Sequence, residues 1–472
     1  AQPDRDRCRC AASGRGKPVA VKRSSTYSSF GRATLPAPKA MMAGEAIDLL
    51  KSGKVPDNSL LGYGNGRSYG DSCQNLTGTV VDMRSLKSLR AFDPETGLLE
   101  ADAGMLLSDV IGFAAPFGYF PAVVPGTQFV TLGGAIANDV HGKNHHRRGT
   151  FGCHVEALTL LRSDGQTYRC SQVENTRLFW ATIGGMGLTG LILSASIRLM
   201  RVPSLDIVEQ VTPFRSTAEF FDLAEAADRD NEYAVAWIDQ LAGGRKAGRG
   251  LLFTGNHAET GSRAASDTSS KLRVPFQPSF TVLNRPFLRA FNAAYRWSKG
   301  RSGQPHQSSY QGFFFPLDGV RDWNLLYGPK GLFQHQSVVP EALAREVVPA
   351  LLEATRRAGQ GSFLTVLKRF GSVRSPALLS FPRPGYTLTL DIPNRGEATL
   401  KLLAELDDIT VRAGGAVNPY KDARMSAETF AASFPDWRRL ESARDPAFRS
   451  SFWARTAGQL GTNGASLIEA AE

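Results

Sequence analysis

The sequence predicts an α+β protein, and three observations carry that reading. Up to about Pro203, short β-like runs alternate with glycine turns. Beyond it the texture changes, and helix-like stretches of ten or more residues alternate with strand-like ones. The chain has 472 residues and 42% apolar content, enough for two domains with full cores.

Taken in order, the first 24 residues are basic and polar (Arg5, Arg7, Arg9, Lys17, Lys22, Arg23). They read as a disordered arm without a secretory signal. Gly78–Asp82, Leu98–Ala103 and Val155–Leu161 read as strands, the last followed by an Asp164-Gly165 hairpin turn into Thr167–Cys170. Met105–Phe117 reads as a helix that leads to a turn at Pro121. Leu191–Met200 alternates apolar and polar residues and closes the first region as a strand. In the second region Thr217–Ala227, Pro340–Ala358 and Glu397–Ala413 read as helices. Glu232–Asp239, Gly250–Thr254, Gly331–Val339, Ser362–Phe370 and Tyr386–Ile392 read as strands of an antiparallel sheet. No internal repeat and no apolar run near the roughly 20 residues of a membrane span is visible.

Charge and cysteines narrow the function classes. The formal net charge is +11, but it is spread out and accompanies no helix-turn-helix, zinc finger or RNP-type strand. Sequence-specific nucleic-acid binding is therefore not expected; a phosphate-bearing substrate or an anionic membrane surface uses the same charge. Five cysteines make no disulfide scaffold. Cys8 and Cys10 form an isolated C-x-C in the arm, and Cys73, Cys153 and Cys170 are scattered, which suits a reducing compartment.

Two glycine-rich loops hold the chemistry. Leu61–Asp71 reads LGYGNGRSYGD, and Pro125–Cys153 reads PGTQFVTLGGAIANDVHGKNHHRRGTFGC. Neither is a dinucleotide-binding G-x-G-x-x-G or a P-loop. Glycines at this density bring backbone close to a ligand, and a run of exposed amides suits a diphosphate. His141 precedes a His145-His146 pair, with Cys153 and His154 nearby, but no metal-site spacing is present and no metal is expected. An imidazole at His141 can give or take a proton near neutral pH. Lys421, in Tyr420-Lys421-Asp422-Ala423-Arg424, reads on composition alone as a solvated ion-pair partner. Gln334 and Gln336 read as same-face polar residues of a strand.

In that order GYGNGRSYGD, PGTQFVTLGGAIANDVHGKNHH, LFWATIGGMGLTG, YGPKGLFQHQ and YKDAR resemble the decaprenylphosphoryl-β-D-ribose 2′-oxidase group of vanillyl-alcohol-oxidase-like FAD flavoproteins. The likeness runs from about Ser29 to about Arg455. It implies a two-domain protein: a PCMH-type FAD-binding domain (25–202), a substrate domain with an antiparallel sheet (203–415), and a C-terminal segment (416–472) returning to the first. It assigns FAD to Gly62, Gly64, Asn65, Gly66, Arg67, Ser68, Tyr69, Gly70 and Asp71. Gly126, Thr131, Leu132, Gly133, Gly134, Asn138, His141, Ile192 and Asn418 complete that set. Lys421, His141 and Tyr69 are the implied catalytic residues; Gln334, Gln336, Lys368, Thr387 and Thr389 are the implied substrate contacts. The implied reaction oxidises the 2′-hydroxyl of a polyprenyl-phosphoryl-ribose to the 2-keto sugar by hydride transfer to flavin N5. A short-chain reductase partner would complete epimerisation to arabinose, a precursor for cell-wall arabinan.

Several positions depart from the group. Arg67 stands where histidyl-linked relatives carry His, and Thr127-Gln128-Phe129 lacks the cysteine of doubly linked ones, so dissociable FAD is expected. Asn418, Thr387 and Thr389 replace the Tyr, Asn and Cys of mycobacterial members, which bears on sugar and lipid specificity. Two other functions fit the residues: a soluble sugar or aldonolactone oxidase of the same superfamily, and a catalytically silent FAD- or lipid-binding protein.

Residues 271–301 carry seven Lys or Arg and no acidic residue, interleaved with Phe276, Phe280, Phe287, Phe291, Tyr295 and Trp297. This composition fits a loop or lid at a membrane interface, or an amphipathic helix docked on its own domain. The expected location is cytoplasmic or peripheral at the inner membrane.

Overall fold

The computed structural model describes residues 27–270, 272–301 and 303–461. Residues 1–26, which hold the basic arm with Cys8 and Cys10, together with Lys271, Ser302 and residues 462–472, lie outside the described residues.

The first region is built on two sheets. Ala40–Met42, Thr79–Asp82 and Leu60–Tyr63 form a small parallel sheet with Thr79–Asp82 in the centre. An antiparallel sheet follows in the order Leu89–Asp93, Leu98–Asp102, Leu191–Arg201, Val155–Leu161, Thr167–Ser171. Leu191–Arg201 is its central strand. Both faces of that strand are covered over much of its length, so its apolar–polar alternation is the weaker part of the signal. Pro121 is not in a turn: Tyr119–Pro121 is a short strand paired with Leu199–Arg201. Proline is tolerated there because the strand has one partner and ends at that residue. The helix read over Met105–Phe117 divides into Leu107–Ala114 and a 3₁₀ turn, Ala115–Phe117, with Pro116 in the turn's first positions.

The second region is one eight-stranded antiparallel sheet. Its order is His306–Ser308, Ile207–Phe214, Gly250–His257, Tyr233–Ile238, Thr365–Phe370, Gly385–Pro393, Leu332–Val339, Ala416–Val417. Period-two alternation sorts the side chains between its faces. Leu388, Leu390 and Ile392 join Ala234, Ala236 and Leu367 against helices Thr217–Asp230, Glu341–Arg357 and Glu397–Arg412. Burying the leucines and Ile392 contributes roughly 1.5–3 kcal/mol each, which fixes the register. The opposite face carries Thr387, Thr389 and Asp391 beside Gln334 and Gln336.

Chain segments cross between the regions. Leu332 N–H donates to Gly31 O (2.8 Å), and Leu60 N–H donates to Ala447 O (2.9 Å). Phe430, Trp437, Phe452 and Trp453 share one core cluster with Leu61, Met186 and Leu188 of the first region and Val338 of the large sheet. The aromatic segment holds a helix, Arg285–Lys299, preceded by an extended stretch in which Leu272–Arg273 pairs with Val320–Arg321. Among the described residues no helix is long and apolar enough to cross a membrane.

Candidate active site and cofactor cleft

A cavity of about 980 Å³ runs between the glycine loops and the inner face of the large sheet. Of the loop residues singled out in the sequence, Gly62, Gly64, Asn65, Gly66, Arg67, Ser68 and Tyr69 line it. So do Gly126, Thr131, Gly133, Gly134, Asn138, His141 and Ile192. From the sheet and the C-terminal segment come Gln334, Lys368, Thr389, Asn418 and Lys421.

Five others stand behind the wall. A Cβ on Gly70 would lie 1.6 Å from Asp422 O, so this glycine serves a backbone-to-backbone crossing of two loops. Asp71 is ion-paired to Arg455 at 2.8 Å, and Arg455 also reaches Asp422 at 2.6 Å. Leu132 is fully buried in the core of the first region. Gln336 and Thr387 lie beneath His141, bonded to each other at 3.0 Å.

The glycine loops fit a nucleotide cofactor. A Cβ on Gly64 would meet Thr131 Oγ1 at 2.4 Å, so the two loops can close on each other only with hydrogen at that position. The amides of Asn65 through Tyr69 donate to no protein acceptor among the described residues, although they line the cavity. Such a run of free N–H groups is the donor set a diphosphate uses. The Arg67 guanidinium lies 5.7 Å from the Phe129 ring and 5.9 Å from the Phe30 ring. Cys73 also lines the cavity, but burial pushes its thiol up to about 12, so it offers no thiolate near neutral pH.

His141 is set by what surrounds it. Asp139, in a left-handed conformation (φ 41°), accepts from Gly152 N–H (2.9 Å), Ser375 Oγ (2.5 Å) and Ser380 Oγ (2.8 Å), which pins the turn to a segment of the second region. A chain of amides then orients the ring. Tyr420 N–H donates to Asn418 Oδ1 (3.0 Å), and Asn418 Nδ2 donates to Gln336 Oε1 (2.9 Å). Gln336 Nε2 is therefore the donor toward Thr387 Oγ1 and toward His141 Nε2 at 3.1 Å. An accepting Nε2 puts the ring proton on Nδ1, which faces Lys368 Nζ at 3.1 Å. Only an unprotonated amine can accept there while donating to Gly142 O at 3.2 Å. The electrostatics agree: burial first, then Lys421 and Lys143, hold the Lys368 ammonium well below its ordinary range. Burial, then Lys368 and Lys421, does the same to His141.

Lys421 faces the cavity 5.8 Å from the Tyr69 ring. Burial pulls it down to about 8, and the Asp391 carboxylate partly offsets this. Asp391 is fully buried and accepts from Gln334 Nε2, while its Oδ2 has no partner. Burial pushes it up to about 7, against the Gln334 hydrogen bond and the charge of Lys421. The Tyr69 phenol is raised by burial and by Asp391, with Gln334 beside its oxygen. An amine, a phenol, an amide and a carboxyl with shifted ionisations thus converge at one end of the cavity, a combination suited to handling a hydroxyl proton.

Sequence reasoning missed two residues here, Asp391 behind the wall and Lys143 on it. Asp391 continues the polar alternation of Thr387 and Thr389, a signal legible in the strand's period of two. Lys143 lines the cavity from within the GKNHH run and went without a role. The His145-His146 pair is structural: His145 packs at 4.6 Å on Phe370, and His146 bonds Asn231 O at 3.0 Å. Among the described residues no three His, Cys, Asp or Glu are grouped to hold a metal ion.

Comparison with known proteins agrees with this geometry. Residues 44–171 match a family described as an FAD binding domain. Decaprenylphosphoryl-β-D-ribose oxidase of Mycolicibacterium smegmatis is 34% identical over 401 residues, 82% of this chain and 86% of that protein. An uncharacterized protein from the mprA 5′ region of Streptomyces coelicolor is 31% identical over 361 residues, 73% of this chain and 97% of its own length. L-gulonolactone oxidase of Mus musculus is 27% identical over 192 residues, 40% of this chain and 42% of its own. With its amide-lined cleft and this extent of likeness, the chain is an FAD-dependent oxidoreductase and belongs to the decaprenylphosphoryl-β-D-ribose oxidase family.

Proposed function

We propose that the protein oxidises the 2′-hydroxyl of a polyprenyl-phosphoryl-ribose to the 2-keto sugar, the first half of an epimerisation to arabinose. The observation that carries this reading is that Lys421 and Gln334, the latter bonded to buried Asp391, face the Tyr69 end of the amide-lined glycine loop across one cavity. A secondary alcohol needs a proton acceptor, donors that hold its neighbouring hydroxyls, and an electron acceptor at close range. FAD, held without a covalent bond by the amides of Asn65–Tyr69 and the loops around Gly126 and Asn138, supplies the electron acceptor when bound.

The chain's own residues do the rest. Lys421 Nζ, brought down to about 8, takes the proton of the reacting hydroxyl. Gln334, Tyr69 and Thr389 orient the sugar by hydrogen bonds without fixed charge. His141 is a neutral positioning group whose Nδ1–H and Nε2 are both engaged, with Gln336 and Thr387 supporting it and Asn418 holding Gln336. Burial keeps bulk water from the developing alkoxide.

In the same reading residues 25–202 and 416–472 form the FAD-binding domain and residues 203–415 the substrate domain. A short-chain reductase takes up the keto sugar, and the aromatic segment meets an anionic membrane surface from which the lipid-linked substrate is drawn. A second reading, oxidation of a free sugar or aldonolactone, is favoured by the likeness to L-gulonolactone oxidase.

Anaerobic bleaching of the flavin distinguishes the two. Polyprenyl-phosphoryl-ribose bleaches the wild type, whereas free pentoses and aldonolactones do not. Lys421→Met retains flavin and loses at least about 100-fold in bleaching rate, the usual scale of general base catalysis. Bleaching by a lactone and not by the phosphoryl sugar, or full activity in Lys421→Met, overturns the proposal.

A further inference from the structure

The cavity wall changes character across the large sheet. Register links Gln336 to Thr389, Thr389 to Val366, Val366 to Trp237, and Trp237 to Leu251, one row across five strands. Four inter-strand steps make the row on the order of 19 Å long. It begins polar, at Gln336 beneath His141 and at Thr389 on the cavity wall, and ends apolar. Val235 and Phe253, themselves cross-strand partners, widen the apolar end. Tyr295 of the Arg285–Lys299 helix roofs it, edge-on to Trp237 at 5.0 Å.

Lys143 stands at the boundary. Its carbonyl accepts from Ala234 N–H (3.0 Å), next to Val235, and its ammonium donates to Phe313 O and lies 4.3 Å from the Phe313 ring centroid. Among the described residues it has no carboxylate within 4 Å; Glu209, itself 3.7 Å from His306, reaches it only through its field. A desolvated ammonium with a carbonyl and a ring as its neighbours lacks a counter-charge.

We propose that Lys143 seats the phosphodiester of the substrate, and that the strip of Val235, Trp237 and Phe253 under Tyr295 seats the first isoprene units. The proposal rests on the lipid-linked sugar reading above and deepens it. Sugar, phosphate and chain then match the polar, cationic and apolar stretches of one sheet face, with the phosphate gaining a charge-assisted hydrogen bond away from water.

Two phosphodiesters, farnesylphosphoryl-β-D-ribose and methylphosphoryl-β-D-ribose, and the uncharged glycoside farnesyl β-D-ribofuranoside test it, with kcat/KM measured on flavin-loaded enzyme. Wild type prefers the farnesyl phosphodiester over both others. In Lys143→Met the preference for phosphodiester over uncharged glycoside falls at least tenfold, through KM, and Lys143→Arg restores most of it. In Val235→Trp the preference for farnesyl over methyl ester falls at least tenfold. Retained bound flavin shows that each variant is folded, and Phe253→Trp fills the same strip from the next strand should Val235→Trp lose it. Preferences unchanged in the variants place phosphate and chain elsewhere and overturn the inference while leaving the sugar reaction standing. Oxidation of none of the three compounds by wild type removes both.

Discussion

Lys421 and Asp391 show how two residues set one ionisation. Burial alone disfavours the ammonium, and the carboxylate pulls the other way, so the pair titrates together. On the proposal that unprotonated Lys421 takes the hydroxyl proton, kcat/KM is expected to rise with pH through about 8. Asp391→Asn keeps the acceptor for Gln334 Nε2 but removes the negative charge. The Lys421 pKa then falls, and the rise in kcat/KM moves to lower pH by on the order of one unit. A limb that stays in place in the variant disconnects Asp391 from Lys421. At this scale the sequence was half legible. Lys421 was found by likeness, against a composition that reads as a surface ion pair. Asp391 escaped because a lone carboxylate at the end of a Thr–Leu alternation looks like a strand terminus until its register partner, Gln334, is known.

Among elements, the loops bearing the site are held by an arginine outside it. Arg455, on the Ser451–Arg455 helix, joins Asp71 behind the first glycine loop to Asp422 beside Lys421. Both carboxylates are nearly inaccessible; Arg455→Met leaves Asp71 without its cation, close to Asp422, which keeps Arg424 at 3.5 Å. The cost expected is about 3–5 kcal/mol, read as a lower urea midpoint, together with weaker flavin retention. Unchanged stability and flavin occupancy in Arg455→Met would falsify this role. The elements themselves were largely readable, because strands such as Val155–Leu161 and helices such as Glu397–Arg412 declare their periods locally. What local period does not carry is the partner: Asp71 read as a cofactor ligand because the residue that neutralises it lies 384 positions away. The same holds for Gly70, whose tight contact is with Asp422.

On the scale of the whole molecule, the described surface gathers large apolar side chains around the aromatic segment: Leu272, Phe276, Phe280 and Trp297 are each 64–69% exposed. The segment adjoins the cavity mouth, since Arg273, Val320 and Arg321 line the cavity and Leu272–Arg273 pairs with Val320–Arg321. Composition identified this segment, yet only the fold shows that Phe276, Phe280 and Trp297 face solvent while Phe291 and Tyr295 pack inward on Phe363 and Trp237. Transfer of each ring into the headgroup region is worth roughly 1–3 kcal/mol. On the proposed membrane reading, the arginines flanking the rings and the net charge of +11 would direct that transfer to anionic lipid. The protein is therefore expected to sediment with phosphatidylglycerol-containing vesicles at low salt and much less with purely zwitterionic ones. The triple substitution of Phe276, Phe280 and Trp297 by Ser lowers the partition coefficient at least tenfold, while bleaching by a detergent-dispersed substrate persists. Raising salt to about 0.5 M, where the Debye length is well under 10 Å, weakens the wild type further. Equal binding to neutral and anionic vesicles, or a triple variant that binds like wild type, rules out docking through this segment.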